Sequence, residues 1–164
     1  MKTSYAKLIK MMPFVLAVLS FSAAHAQQTA STSSGLKWVN APASLPAGAK
    51  VAMLQGDLAK PGAFSFRLKL PAGYQLKPQS SPAIDRVMVI SGALNLGSGE
   101  KFDNARTIPL YTGYAHWPNK GPFFGFTKEE TVVEIEGVGP WTVNYVNAAD
   151  DPAKKRRVSS AAVR

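Results

Sequence analysis

Apolar and polar residues alternate along much of the chain after residue 36, as β-strands with one buried face require. In 64–70 every second residue is Phe or Leu, and Val87–Ile90 is a continuous apolar run. The pattern predicts strands over 64–70, 87–90, 94–97, 131–136 and 141–145, and shorter ones over 37–39, 51–54, 74–77, 108–111, 114–117 and 123–126.

Turn-forming residues separate the predicted strands. Pro-Ala-Gly occurs at 46–48 and at 71–73, Gly-Ser-Gly at 97–99, and segments rich in Pro and Gly at 118–122 and 137–140. The sequence after the first 26 residues contains no amphipathic helical pattern and no repeat of about 20–50 residues. These features predict an all-β domain, either a sandwich or a closed barrel, with one face of its strands packed inward.

The first residues have the pattern of a cleavable signal peptide. Three lysines precede a mostly apolar stretch, Met11–Ala24, and Ala24-His25-Ala26 places small residues at the two positions that a signal peptidase reads. A membrane anchor is the alternative, but the apolar stretch is shorter than the roughly 20 residues of a spanning helix. We expect cleavage after Ala26, export to the periplasm or beyond, and no stable membrane insertion afterwards.

The rest of the chain divides into a leader, one domain and a tail. Residues 27–35 are small and polar and predict a flexible leader, while 36–153 have the size of a single domain. The block at 154–157 is Lys-Lys-Arg-Arg, and 154–164 are predicted to form a basic disordered tail. Contact of this tail with anionic lipid, lipopolysaccharide or nucleic acid is the alternative.

The formal net charge of +9 is concentrated at the two ends of the chain. Three lysines belong to the predicted signal peptide and five basic residues to the tail, which leaves eleven basic and ten acidic residues between them. No basic stripe with interleaved aromatic residues lies in this body, so nucleic acid is not expected as a partner. The chain has no cysteine, which excludes disulfide, iron–sulfur and zinc-thiolate chemistry.

Five residues resemble the first motif of the cupin superfamily in their spacing. That motif has a glycine, two histidines one residue apart, a glutamate and a second glycine. The corresponding residues here are Gly73, Gln79, Ser81, Asp85 and Gly92. The spacing fits at each step, whereas each metal-ligand position carries another residue.

The second cupin motif resembles residues 113–127. Pro118 matches its proline, Lys120 stands where glycine is usual, and the histidine position falls on Phe123. Gly113 is one residue too close to Pro118. Together with flanking segments over roughly 36–155, the chain is similar to small secreted bacterial cupins. The resemblance implies a single-domain double-stranded β-helix, the RmlC-like jelly-roll barrel.

The substitutions at the ligand positions predict that no metal or other cofactor is held. A Gln amide and a Ser hydroxyl are weak donors for transition metals, and Phe123 donates nothing, so Asp85 is the one good ligand of the four. His116 is the single histidine after the predicted cleavage. An oxygen-only calcium or magnesium site is the alternative, but those ions want about six or more oxygens.

The former metal site is expected to survive as a pocket with a polar mouth. The alternative is that its polar groups bond only to one another or to water. No catalytic residue is predicted, and His116 is interpreted as a structural histidine rather than an acid–base group. The expected pocket positions are Gln79, Ser81, Asp85 and Phe123, with His116, Trp117 and Phe126 as neighbours.

Three functions follow from this interpretation, and the sequence favours the first. The first is an exported, non-catalytic cupin that binds or senses a small molecule. The second is an enzyme, either a metal-dependent dioxygenase type that uses Asp85 and borrowed ligands, or a metal-free isomerase or epimerase that uses His116. The third is a homodimeric structural or interaction protein whose strands pair across the interface, as in many cupins.

Overall fold

The computed structural model describes residues 35–116 and 120–155, which belong to one compact unit. The predicted signal peptide, the leader up to residue 34, Trp117 and the tail beyond Lys155 lie outside the described residues. In the two described stretches no helix is long and apolar enough to cross a membrane.

The described residues form eleven strands, each within or beside a segment whose alternation predicts one, so the all-β prediction is confirmed. Short 3-10 turns lie at Asn104–Arg106 and Ala148–Asp150, and a single helical turn lies at 152–155, where the sequence predicts the start of the tail. The strands are β1 Val39–Asn40, β2 Lys50–Gln55, β3 Gly62–Leu70, β4 Gln75–Ser80, β5 Ile84–Ser91, β6 Ala93–Ser98, β7 Ile108–Tyr111, β8 Ala115–His116, β9 Phe123–Thr127, β10 Thr131–Gly139 and β11 Asn144–Tyr145.

The strands pair into two antiparallel sheets. The six-stranded sheet has the order β1-β2-β3-β10-β5-β8, and the five-stranded sheet has the order β11-β4-β9-β6-β7. Consecutive strands therefore often lie in different sheets, which is the crossing pattern of a jelly roll.

The core lies between the two sheets. Alternate residues of β3, including the fully buried Phe66, face Leu76 and Leu94 of the other sheet. Burying a large apolar side chain contributes about 1.5–3 kcal/mol. The strict alternation in β3 thus places one sheet face in the core.

A charged ladder crosses the other face of the six-stranded sheet. Arg67 and Glu134 are register partners on β3 and β10, and Arg67 Nε donates to Glu134 Oε2 at 3.1 Å. Arg86 on β5 faces Glu136 and donates from Nε at 2.9 Å. Hydrogen bonding to Glu136 raises the pKa of the Arg86 guanidinium. Opposite charges on directly paired residues stabilise the sheet and fix its register.

Gly92 is the single residue between β5 of one sheet and β6 of the other. Its φ of 75° lies in the left-handed region, and a methyl group there would lie 2.5 Å from the carbonyl oxygen of Glu130. The neighbouring Thr131 hydroxyl accepts from the Ala93 amide at 3.3 Å. Glycine is therefore required for the chain to change sheets at this position.

Candidate functional site

A cavity of about 60 Å³ lies between the two sheets. Residues of both sheets and of the segment after β10 line it, and they are predominantly apolar. The lining is formed by Leu45, Leu68, Leu70, Leu76, Gln79, Ser81, Ile84, Val87, Leu94, Leu96, His116, Phe123, Val133, Ile135, Trp141 and Val143.

A bulge in β4 turns Gln79 toward the cavity. Leu76 pairs with Gly125 and Gln79 pairs with Phe123, so three steps along β4 correspond to two along β9. The extra residue resets the alternation, and both Leu76 and Gln79 line the cavity. Ser81, two residues beyond Gln79, faces the same way, as the i and i+2 spacing predicts.

The Ser81 hydroxyl is engaged with the chain itself. It donates to the carbonyl oxygen of Thr142 at 2.6 Å, and this bond attaches the segment after β10 to the end of β4. Trp141 and Val143, on either side of Thr142, both line the cavity. The Ser81 hydroxyl therefore positions one wall of the cavity.

Gln79 and Trp141 carry buried polar atoms that lack hydrogen-bond partners among the described residues. Gln79 is 2% exposed, and its Oε1 is unpartnered, as is Nε1 of Trp141. The Trp141 ring packs edge-on against Phe66, with 5.6 Å between the ring centres, and its backbone amide donates to the Leu58 carbonyl at 2.8 Å. The sequence assigned Trp141 only to the strand predicted over 141–145, and it was not among the predicted site residues.

β11 packs beside this wall. Tyr145 is the register partner of Gln79, and its hydroxyl donates to the Ser44 carbonyl at 2.7 Å. Burial raises the pKa of Tyr145 to about 12, and Asp151 and Asp150 add to the increase. The Tyr145 phenol thus stays protonated and fastens β11 to the loop before β2. The 141–145 segment is strand only at 144–145, because Trp141 and Val143 turn inward before the ladder begins.

The expected place of Asp85 in the pocket is wrong. On β5, Ile84 pairs with Gly137 and Arg86 pairs with Glu136, so a bulge leaves one extra residue at Asp85. Ile84 and Val87 consequently face the cavity, while Asp85 is exposed. Its carboxylate accepts from Lys120 Nζ at 2.8 Å.

Lys120 fixes the loop before β9 to the turn between β4 and β5. Its ammonium group also donates to the carbonyl oxygens of Pro82 at 2.9 Å and Ile84 at 2.8 Å. The residue that stands at a glycine position of the second motif therefore satisfies three acceptors outside the cavity.

Of the remaining residues predicted to line or adjoin the pocket, some line the cavity and others do not. Phe123 and His116 line the cavity. Phe126 is not part of the lining. It lies three residues after Phe123 on β9, so its side chain is on the opposite face of that strand. The expected place of Phe126 beside the pocket is therefore wrong. Trp117 lies outside the described residues.

The described lining does not fit a transition metal. His116 is its one good nitrogen ligand, and neither Asp nor Glu contributes to it. Across 35–116 and 120–155, no group of three or more His, Cys, Asp or Glu side chains lies close enough together to hold a metal ion. The donors that face the cavity, an amide and a hydroxyl already bonded to Thr142, are weak ligands for such ions.

Comparison with solved structures identifies the fold. No family model and no curated protein matches the chain. The solved polyketide cyclase RemF from Streptomyces resistomycificus superposes with a TM-score of 0.59 at 14% identity, over 75% of this chain and 88% of RemF. An acetylacetone dioxygenase from Acinetobacter johnsonii superposes with a TM-score of 0.54 at 11% identity, over 90% and 87%. An RmlC-like cupin from Shewanella frigidimarina gives 0.48 at 8%, over 63% and 84%.

The chain therefore has the cupin fold, a jelly-roll barrel of two antiparallel sheets. The likeness at these identities concerns the fold alone, because one fold carries many unrelated activities. Solved structures with this fold include enzymes, and what each converts is a property of that protein.

Proposed function

We propose that this protein is an exported, metal-independent module that binds a small molecule in the cavity of its barrel. The observation that carries the proposal is the cavity itself, whose lining is predominantly apolar and includes the residues Gln79, Ser81 and His116. Binding sites for small molecules commonly combine an apolar lining with a few placed polar groups. The weak donor set of the lining supports binding without a metal.

A matched pair of cavity variants tests the binding proposal. Val143 lines the cavity, whereas Val138 is 58% exposed at the end of β10. Val143→Phe should fill the cavity and abolish the rise in melting temperature that a cavity ligand causes in the full-length protein. Val138→Phe should retain that rise. A ligand whose effect survives Val143→Phe binds elsewhere, and a broad thermal-shift screen without any stabilising compound would contradict the proposal.

Elemental analysis separates the binding module from a metal-dependent enzyme. The purified protein should contain no transition metal near one per chain, before or after incubation with iron, manganese, zinc or nickel. Stoichiometric metal that is lost in His116→Ala or Gln79→Ala would overturn the metal-independent part of the proposal and favour the enzyme.

Export has its own test. Expression of the complete chain in a bacterial host should yield a periplasmic or secreted product whose N-terminal residue is Gln27. A product that retains Met1 and stays in the cytoplasm would contradict this part without touching the binding proposal.

A further inference from the structure

A second concave site lies on the six-stranded sheet, beside the charged ladder. It is an open groove of about 400 Å³, and sites for small ligands commonly have volumes of about 300–1,000 Å³. Residues of β2, β3, β5 and β10 line it, and none of them lines the cavity between the sheets. The groove is therefore a separate site with its own chemistry.

Two bulges direct polar side chains into the groove. On β2 a register shift precedes Gln55, which pairs with Ser65, so β2 has one extra residue at this point. On β5 the extra residue is Asp85. These two strands flank the central pair of Ser65 on β3 and Glu136 on β10 from opposite sides. Bulges re-aim side chains and are common next to functional sites, and here both of them border one groove.

Four hydrogen-bonding side chains form a continuous row across this part of the sheet. Gln55 is the register partner of Ser65, Ser65 is the partner of Glu136, and Glu136 is the partner of Arg86. Directly paired residues share one face of a sheet. Adjacent strands lie about 4.8 Å apart, so the row extends over about 14 Å. One ligand can therefore contact several of these groups at once.

Part of the hydrogen-bonding capacity of the groove is unused within the described residues. The side chains of Gln55 and Ser65 line the groove and have no hydrogen-bond partner there. Asp85 accepts from Lys120 through Oδ1, which leaves its Oδ2 without a partner among those residues. Arg86 donates to both carboxylate oxygens of Glu136, and each oxygen has a second lone pair. The groove thus offers an amide, a hydroxyl and carboxylate oxygens to a ligand.

The formal charges at the groove cancel. The carboxylate of Asp85 lies 2.8 Å from the ammonium group of Lys120, and that of Glu136 accepts from Arg86 Nε at 2.9 Å. An anion would face two carboxylates, and a cation would compete with two cations that are already paired. Charge complementarity therefore favours a neutral ligand.

We infer that this groove binds a neutral saccharide, in addition to whatever the cavity binds. Sugar hydroxyls donate to carboxylate oxygens and also accept from an amide such as that of Gln55. Hydrogen bonds from a hydroxyl to a carboxylate are charge-assisted and therefore among the stronger ones. The carbon-bound hydrogens of the sugar ring pack on Ala63, the exposed apolar residue of the lining.

Titration of the purified protein with sugars of different charge tests the inference. The neutral probes are cellobiose, maltose and glucose, and the charged counterparts of glucose are glucosamine and glucuronate. Binding is followed by the backbone amide resonances of residues 55, 63–65, 85 and 136–137. At least one neutral disaccharide should shift these resonances with a Kd of about 1 mM. Both charged sugars should bind less tightly than glucose.

Matched variants identify the groups responsible. Gln55→Ala and Ser65→Ala should each weaken binding of the disaccharide about fivefold, as expected for the loss of one hydrogen bond. Gln75→Ala and Ser98→Ala are the controls, because Gln75 and Ser98 are exposed on the five-stranded sheet, and they should retain the affinity of the parent.

A cavity variant separates this site from the proposed function. Val143→Phe fills the cavity and should leave saccharide binding unchanged, because Val143 does not line the groove. Loss of saccharide binding in Val143→Phe would place the sugar in the cavity and overturn the groove as its site. Tighter binding of glucosamine or glucuronate than of glucose would overturn the neutral ligand class. If no neutral sugar moves a groove resonance at concentrations up to about 50 mM, the inference fails while the cavity proposal stands.

Discussion

The hydroxyl of Ser81 donates a 2.6 Å hydrogen bond to the carbonyl oxygen of Thr142, 61 residues further along the chain. This bond connects the end of β4 to the segment that carries Trp141 into the cavity. The residue that takes a metal-ligand position in the cupin motif thus acts here as a structural support for the opposite wall.

Loss of this support should be measurable as a loss of stability. Ser81→Ala removes the donor to the Thr142 carbonyl, a partly buried hydrogen bond, and we expect the free energy of unfolding to fall by about 1 kcal/mol in urea titrations. Ser80→Ala is the matched control, because Ser80 belongs to the opposite face of β4, and it should change stability by less than about 0.5 kcal/mol. Equal losses in the two variants would show that the Ser81 bond contributes nothing.

The fold could be predicted from the sequence because the signals it depends on are local. Strict alternation in β3 and glycines at the turns specify which segments are strands, and the spacing of Gly73 and Gly92 identifies the barrel. The predicted strand over 141–145 is partly wrong because tertiary packing draws Trp141 and Val143 into the cavity.

The candidate site was less predictable because it depends on two bulges. Strand alternation alone indicates which residues share a face only while the ladder is regular. The bulge in β5 turns Asp85 outward, and no residue type at 84–87 indicates that a bulge occurs there. By contrast, Gln79 and Ser81 are separated by a regular i and i+2 step, so their shared face is predictable.

The buried ion pair between Arg67 and Glu134 should contribute more to stability than an exposed ion pair of the same sheet. Glu134→Gln removes the negative charge that faces the Arg67 guanidinium, and these side chains are only 16% and 8% exposed. We expect the free energy of unfolding to fall by about 3 kcal/mol, since removing one charge of a buried ion pair leaves the opposite charge less well compensated.

The same change at the surface provides the control for Glu134. Glu130 lies 3.6 Å from Lys69, with side chains 65% and 30% exposed, so Glu130→Gln should cost under about 0.5 kcal/mol. Similar losses at the two glutamates in urea titrations would mean that burial of the Arg67 pair has no energetic consequence.

Stability should fall at alkaline pH through Tyr145. Its folded-state pKa of about 12 lies above the ordinary value of 10.0, so the folded state holds the phenol proton more tightly than the unfolded state. The contribution of this group is complete below pH 10 and is lost as the pH rises to about 12. With allowance for solvent screening of this half-buried group, the loss is about 1 kcal/mol.

A single variant isolates the titration of Tyr145. Urea titrations between pH 9 and 12 (a span set by the pKa values of about 10 and 12) should show the parent protein losing stability relative to Tyr145→Phe. A constant difference between parent and variant across this range would contradict a raised pKa.

The side-chain directions at the cavity allow a metal site to be built into it. Gln79 and Ser81 share one face of β4, and Phe123 is the register partner of Gln79, so Gln79→His, Ser81→His and Phe123→His together bring three imidazoles to one region. This triple variant should bind Co²⁺ or Zn²⁺ near one per chain with a Kd of about 1 µM or below, since imidazoles are good ligands for these ions. Absorption of the bound Co²⁺ measures the binding, and the parent should show none.

Two further variants determine whether the geometry is responsible for the metal binding. A variant with Ser80→His in place of Ser81→His contains the same three histidines, but Ser80 lies on the opposite face of β4. This variant should not bind the metal. Adding Asp85→Glu to the triple variant should leave the affinity unchanged because that side chain lies outside the barrel, whereas adding Val87→Glu should raise it by placing a carboxylate in the lining. A gain from Asp85→Glu and none from Val87→Glu would show that the β5 bulge is misplaced and that the carboxylate position of the cupin motif still faces the cavity.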